Sequence, residues 1–195
     1  MSRPGFDHEA ALVGESLPTG FRVAVIGSTS FWHEESKPTC EAIGESLAGI
    51  DGVVLLTGGV TGVGECTARA YATKAQNVIH VLPHGSNPWD YGTTLFAGTD
   101  MAERREILGR LARAYIMVEG GPGTEHEATV AAAHGALLVV VGRSGGHAGD
   151  LYRRMPRPSS VEESAWNTLG NPRSTPTEVA ATVAEILESH RCSTG

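Results

Sequence analysis

Apolar residues in this chain fall into short, nearly unbroken runs rather than alternating with polar ones. Phe21 to Gly27, Val53 to Thr57, Val78 to Leu82, Ala114 to Val118 and Leu137 to Gly142 are β-branched or leucine-rich, and a weaker run lies at Thr94 to Ala97. Runs of this kind predict strands buried on both faces, which is the pattern of a parallel sheet covered by helices on each side. Between them lie stretches with helical periodicity. One spans Lys37 to Ala48, with Ala42, Ile43 and Leu47 on one face. Others span Glu65 to Lys74, Met101 to Leu108 from a start near Asp100, and an alanine-rich segment from about Thr124 through Ala133. A terminal amphipathic helix is predicted over Thr177 to His190, lined by Val179, Val183, Ile186 and Leu187.

Strand alternating with helix predicts an α/β fold: a single Rossmann-like, doubly wound parallel sheet flanked by helices and joined by right-handed crossovers. Residues 1–20 are expected to form an N-terminal arm with a short helix around Glu9 to Gly14, and residues 21–190 a single nucleotide-binding domain. Residues 143–175 read as loop-rich, with four prolines from Pro156 to Pro176.

The glycines mark where chemistry would sit. In an open parallel sheet, ligands bind beyond the carboxyl ends of the strands. Three turn-forming segments occupy that position: Gly27-Ser28-Thr29-Ser30, Gly58-Gly59 through Gly64, and Gly120-Gly121-Pro122-Gly123-Thr124. Each joins a strand to a helix, so backbone N–H groups and a helix N-terminus converge there and favour an anion such as phosphate. Neither long glycine loop is a Walker loop, since no Gly-Lys-Ser/Thr follows, and the first strand lacks the dinucleotide fingerprint.

Two segments add a more specific pattern. Residues 101–108 read Met-Ala-Glu-Arg-Arg-Glu-Ile-Leu, and residues 119–127 read Glu-Gly-Gly-Pro-Gly-Thr-Glu-His-Glu. Together they resemble the Met-x-x-Arg-Lys and Pro-Gly-Gly-x-Gly-Thr-x-x-Glu motifs of the LOG ("Lonely Guy") family of nucleoside-monophosphate phosphoribohydrolases, over roughly residues 21–142. The resemblance implies hydrolysis of the N-glycosidic bond of a nucleoside 5′-monophosphate. It makes Arg104 and Glu127 the catalytic pair and puts Gly120, Gly121, Gly123 and Thr124 in the phosphate cradle. Gly27, Ser28, Gly58, Gly59 and Arg105 are expected to complete the nucleotide site. It also implies a homodimer or higher homo-oligomer. The wider superfamily includes molybdenum-cofactor carrier proteins, so the alternative is a non-catalytic carrier or sensor on the same scaffold.

The residue types suit the reaction independently. Cleaving an N-glycosidic bond builds oxocarbenium character, which a carboxylate stabilises while aligning a water. An arginine fork holds ribose or phosphate oxygens. The bland reading of Glu127 is a capping box with Thr124 as N-cap. Three departures from the motif stand out. Glu119 replaces the family proline and brings a negative charge near the expected phosphate, where it either points away, binds a ribose hydroxyl or signals a different ligand; Arg105 replaces lysine; and His126 replaces glutamate. Trp89 and Tyr91 are candidates either to stack on a base or to pack, with packing favoured.

Composition narrows the classes further. The formal net charge of the 195 residues is −7, and Lys37 and Lys74 are the only lysines. An acidic chain is a poor general partner for a nucleic-acid backbone, so no nucleic-acid partner is expected. Neither is a membrane, since no apolar run approaches a membrane span. Cys40, Cys66 and Cys192 form no zinc or disulfide pattern. With no signal-like start, they suggest a reduced, cytoplasmic protein without metal or resident cofactor. Neither lysine sits in a pyridoxal-phosphate context, which argues against the lysine decarboxylase activity that some relatives' labels suggest.

Overall fold

The computed structural model describes residues 4–194. All six strands lie in one parallel sheet of order β4-β3-β2-β1-β5-β6. They are β1 (Phe21–Gly27), β2 (Val53–Thr57), β3 (Val78–Leu82), β4 (Thr93–Phe96), β5 (Ala114–Val118) and β6 (Leu137–Val141). The helices among the described residues are α1 (Pro4–Glu15), α2 (Ser36–Leu47), α3 (Val63–Ala72), α4 (Met101–Leu108), α5 (Pro122–Ala133), α6 (Gly146–Arg154), α7 (Glu163–Gly170) and α8 (Pro176–Thr194).

The near-continuous apolar runs have the cause expected of them. Every residue of β2, β3, β5 and β6 is buried. Alternate side chains feed two cores. One face carries Val23, Val25, Val53, Leu55, Ile116 and Val139 against α2, α3 and α8. The other carries Ala24, Ile26, Leu56, Ile79, Tyr115 and Val140 against Ile107, Leu108 and Ala131 of α4 and α5. The amphipathic stripe of α8 is buried at Val179, Val183, Ile186 and Leu187.

The N-terminal segment is helical over more of its length than the sequence suggests. Ala10 of α1 and Leu17 beyond it are buried with the second core. Glu9 accepts the Gly98 N–H at 2.7 Å, and Arg22 donates to the Gly14 carbonyl at 2.8 Å. Residues 143–175, expected as loop, contain α6 and α7. The Gly145–Gly146 pair opens α6 rather than excluding it. Its first N–H groups find acceptors in the chain beyond β5: His147 N–H bonds the Gly120 carbonyl at 2.9 Å and Ala148 N–H the Glu119 carbonyl at 3.0 Å.

The winding direction reverses at β1, which pairs with β2 on one side and β5 on the other. Crossovers to either side leave a crevice at the carboxyl ends of these two strands, where loops diverge and do not fill the space.

Candidate functional site

That crevice holds a cavity of about 240 Å³. The β1 loop contributes Gly27, Ser28, Thr29 and Trp32, and the β2 loop contributes Val60. Helix α4 contributes Met101, Arg104 and Arg105, and the start of α5 contributes Gly121, Pro122, Gly123, Thr124 and Glu127.

Arg104 and Glu127 meet on its floor. Arg104 Nη1 donates to Glu127 Oε1, and both residues are buried, Arg104 with 2% of its surface exposed. The pair arises from helix geometry at two termini. Asp100 caps α4, its carboxylate accepting from the Ala102 and Glu103 N–H groups at 2.8 and 2.9 Å, so Arg104 follows one turn in. Glu127 sits on the second turn of α5, which packs beside α4. Burial pushes the Glu127 carboxyl up from its ordinary range, opposed by Arg104, and pushes the Arg104 guanidinium down. Arg104 has hydrogen-bonding capacity to spare. Its Nε is buried without an acceptor, and its Nη2 reaches only the Met101 sulfur, at 3.9 Å.

The helix α5 begins earlier than the sequence suggests. Gly121 is its N-cap and Pro122 takes the first helical position, where a residue without an N–H loses nothing. Thr124 is therefore inside the helix, and the capping box with Glu127 does not form. The Thr124 hydroxyl instead donates to the Gly27 carbonyl at 3.1 Å, tying α5 to the end of β1. Arg105 lies across Gly123, where an added Cβ would come within 2.8 Å of Nη2. A guanidinium thus rests against the amino end of a helix, a pairing of donors suited to an oxyanion.

Of the residues singled out by sequence, Gly27, Ser28, Arg104, Arg105, Gly121, Gly123, Thr124 and Glu127 line the cavity. Gly58, Gly59 and Gly120 lie behind it. Gly58 backs the Arg104 guanidinium, Gly59 packs on Leu82, and Gly120 abuts Thr124.

Glu119 does not face the expected phosphate seat. It is fully buried, and its carboxylate accepts from the hydroxyls of Ser28 and Ser36 and from the Trp32 N–H at 3.0 Å. Its own N–H donates to Ser144 Oγ at 2.7 Å. It is the one described non-glycine residue with positive φ, at 54°, a conformation that costs about 1–2 kcal/mol and persists because these bonds fix it. Where the LOG motif has proline, this chain has a clamp on the β1 loop.

Trp89 and Tyr91 pack, as favoured from sequence. Both rings flank His80, and Arg69 lies over Tyr91 at 4.5 Å. His126 is on the surface side, within 2.7 Å of Glu106. Sequence reasoning missed Trp32. The residue is 48% exposed at the cavity rim, and only its position five residues after Gly27 hinted at this.

The model of a family described as SLOG cluster4 matches residues 20–166. The chain belongs to the SLOG cluster4 family. This SLOG protein is similar in fold to several solved structures. The protein TM1055 shares 23% identity at a TM-score of 0.62, over 70% of this chain and 82% of that one. The molybdenum-cofactor carrier protein from Chlamydomonas reinhardtii shares 20% identity at a TM-score of 0.58, over 87% of this chain and 98% of that one. No protein of curated function matches the sequence.

The expected exclusion of nucleic acid does not stand. The similar structures include DNA processing protein A from Helicobacter pylori, described by its single-stranded DNA binding mode, at 17% identity and a TM-score of 0.48 over 62% of this chain and 64% of that one. That likeness assigns no ligand to the SLOG protein. The fault lay in the warrant: net charge averages over a whole surface. Here Arg22, Arg110, Arg113 and Arg191 line one recess at the amino ends of β1 and β5, despite a formal charge of −7. Among the described residues no helix is long and apolar enough to cross a membrane.

Proposed function

We propose that this SLOG protein hydrolyses the N-glycosidic bond of a nucleoside 5′-monophosphate to free base and ribose 5-phosphate. The observation that carries this reading is the Arg104–Glu127 pair on the floor of a cavity otherwise built for an anion. A carboxylate beside a phosphate seat weakens binding, so a site made only to bind gains nothing from it. A carboxylate beneath a ribose, by contrast, stabilises a developing oxocarbenium ion.

In this reading the phosphate sits at the start of α5, held by Arg105 and the Gly121–Gly123 backbone. The unused N–H groups of Arg104 take a ribose oxygen. Glu127 lies under the sugar, orients a water and accepts its proton as the water oxygen bonds to C1′. The base departs with the electrons of the broken C–N bond and takes up a proton from solvent. The upward push on the Glu127 carboxyl makes it a stronger proton acceptor than an exposed carboxylate. Trp32, exposed at the rim, offers a face for the base.

A second reading is carriage of a phosphorylated cofactor without hydrolysis. Trp32 also favours this reading, since an open rim with one aromatic face holds a planar ring without enclosing it. The test is a panel of nucleoside 5′-monophosphates with free base read by chromatography, wild type beside Glu127→Gln. Base release that falls about 100-fold or more in Glu127→Gln supports hydrolysis. No base release from wild type, with nucleotide or pterin phosphate still raising the Tm, overturns hydrolysis in favour of carriage.

A further inference from the structure

A second cavity, of about 210 Å³, lies past the β1 loop from the first. His33, Glu35, Ser36 and Thr39 line it from the start of α2, and Val141, Arg143 and Ser144 from the turn after β6. Its hydroxyls are committed elsewhere. Thr39 donates to the Glu35 carbonyl at 2.7 Å, Ser36 to Glu119, and Ser144 to the Val141 carbonyl at 2.6 Å.

Arg143 is the exception. Only 10% of its side chain is exposed, its Nε is buried without an acceptor, and its nearest carboxylate is Glu35, 3.8 Å from Nη2. That gap is beyond hydrogen-bonding distance, and the Glu35 side chain is 62% exposed. A guanidinium stays charged at any physiological pH, and taking one out of water is costly unless acceptors meet it. Buried polar groups in native proteins are nearly always satisfied. Here a charged donor, largely withdrawn from solvent, lines an open space without a matching acceptor.

We propose that this cavity is a second ligand site, binding a small oxyanion (a phosphate or carboxylate group) on Arg143, with His33 as the neighbouring polar wall. It is separate from the cleft of Arg104 and Glu127 and does not depend on the reaction assigned there. Glu35 is its competitor: the loosely paired carboxylate swings into solvent when the oxyanion enters.

The test follows the arginine Nε–H resonances by NMR during titration with inorganic phosphate and, separately, acetate. The Arg143 signal is identified by its loss in Arg143→Lys. It is expected to shift and saturate in wild type and equally in Arg105→Met, which alters only the first cavity. Glu35→Gln should lower the Kd read at Arg143 about fivefold by removing the competitor. A lower Kd for phosphate than for acetate identifies a phosphate group as the ligand, and the reverse a carboxylate. An Arg143 signal that stays still in both titrations, at phosphate concentrations that saturate the Arg105 signal and at the same concentrations of acetate, overturns the proposal and leaves the first cavity unaffected.

Discussion

Gly58 lies directly behind the guanidinium of Arg104: a Cβ built there would stand 2.5 Å from Nη1 and 2.9 Å from Cζ. The β2 loop can back the arginine this closely because Gly58 has no side chain. Gly58→Ala should therefore move the guanidinium off Glu127 while leaving the strand intact. We expect base release to fall at least about 10-fold, with a stability loss near 1–2 kcal/mol. Activity and Tm, measured on the same preparation, check this. A Tm collapse with normal specific activity in the folded fraction would refute it.

The two halves of the buried pair should fail differently with pH. Glu127→Gln leaves Arg104 charged and buried at every accessible pH, and should cost about 3–5 kcal/mol where wild-type Glu127 is ionised. Arg104→Met leaves a carboxyl already pushed up by burial. Such a group binds its proton more tightly in the folded protein than in the unfolded chain, whose ordinary value is 4.5. Stability is then fully present below that value and is lost as pH rises above it. Urea denaturation midpoints for Arg104→Met should fall from pH 4.5 upward relative to wild type, while Glu127→Gln, with no carboxyl to titrate at this position, lacks that fall.

His80 should set part of the acid sensitivity. It is fully buried between Trp89 and Tyr91, and desolvation lowers its pKa from 6.5 to about 4. The unfolded chain therefore binds a proton between these values that the folded protein refuses. Stability from this group is complete above pH 6.5 and declines as pH falls towards 4, by on the order of 3 kcal/mol in all. His80→Phe keeps the ring stacking and should flatten this part of the pH–stability curve.

Glu119→Ala should release the β1 loop from the end of β5. Three donors lose their acceptor at once, two of them hydroxyls in buried positions, for about 2–4 kcal/mol. Trp32 donates its N–H to this carboxylate, so its fluorescence anisotropy should drop in the variant. A ligand in the first cavity should bind more weakly. Unchanged anisotropy would show that the loop is held some other way.

Strands were the most legible part of the sequence. The bounds of β2, β3, β5 and β6 follow the apolar runs because full burial on two faces leaves few polar positions inside them, chiefly Thr57 and His80. Helices α6 and α7 were not legible. Helix α6 starts at Gly146 and contains Gly149, and α7 has only 8 residues, so tertiary contacts rather than local propensity hold them. In the site, Arg104 and Glu127 were singled out through a motif, and the structure pairs them on the floor of the cavity. The role of Glu119 stayed open in the sequence because its partners Ser28, Trp32 and Ser36 stand 91, 87 and 83 residues away. Of the three readings open from sequence, the structure shows the one that points away: the backbone stands at φ 54° and the side chain enters the β1 loop. The basic recess around Arg22 was equally hidden, since its arginines are scattered from residue 22 to residue 191.

The central place of β1 has a consequence for how the chain is made. Its two neighbours are β2, which follows within 30 residues, and β5, which does not begin until residue 114. During synthesis, then, the amino-terminal half can assemble β1 to β4 while β1 still shows an open, apolar edge. That edge is the most adhesive surface a nascent sheet can present. A ribosome stalled near residue 110 would hold a fragment prone to pair with any exposed strand nearby. The arrival of β5 closes the edge and brings in the glycine turn and α5, so protection from aggregation and assembly of the binding cleft come in one event.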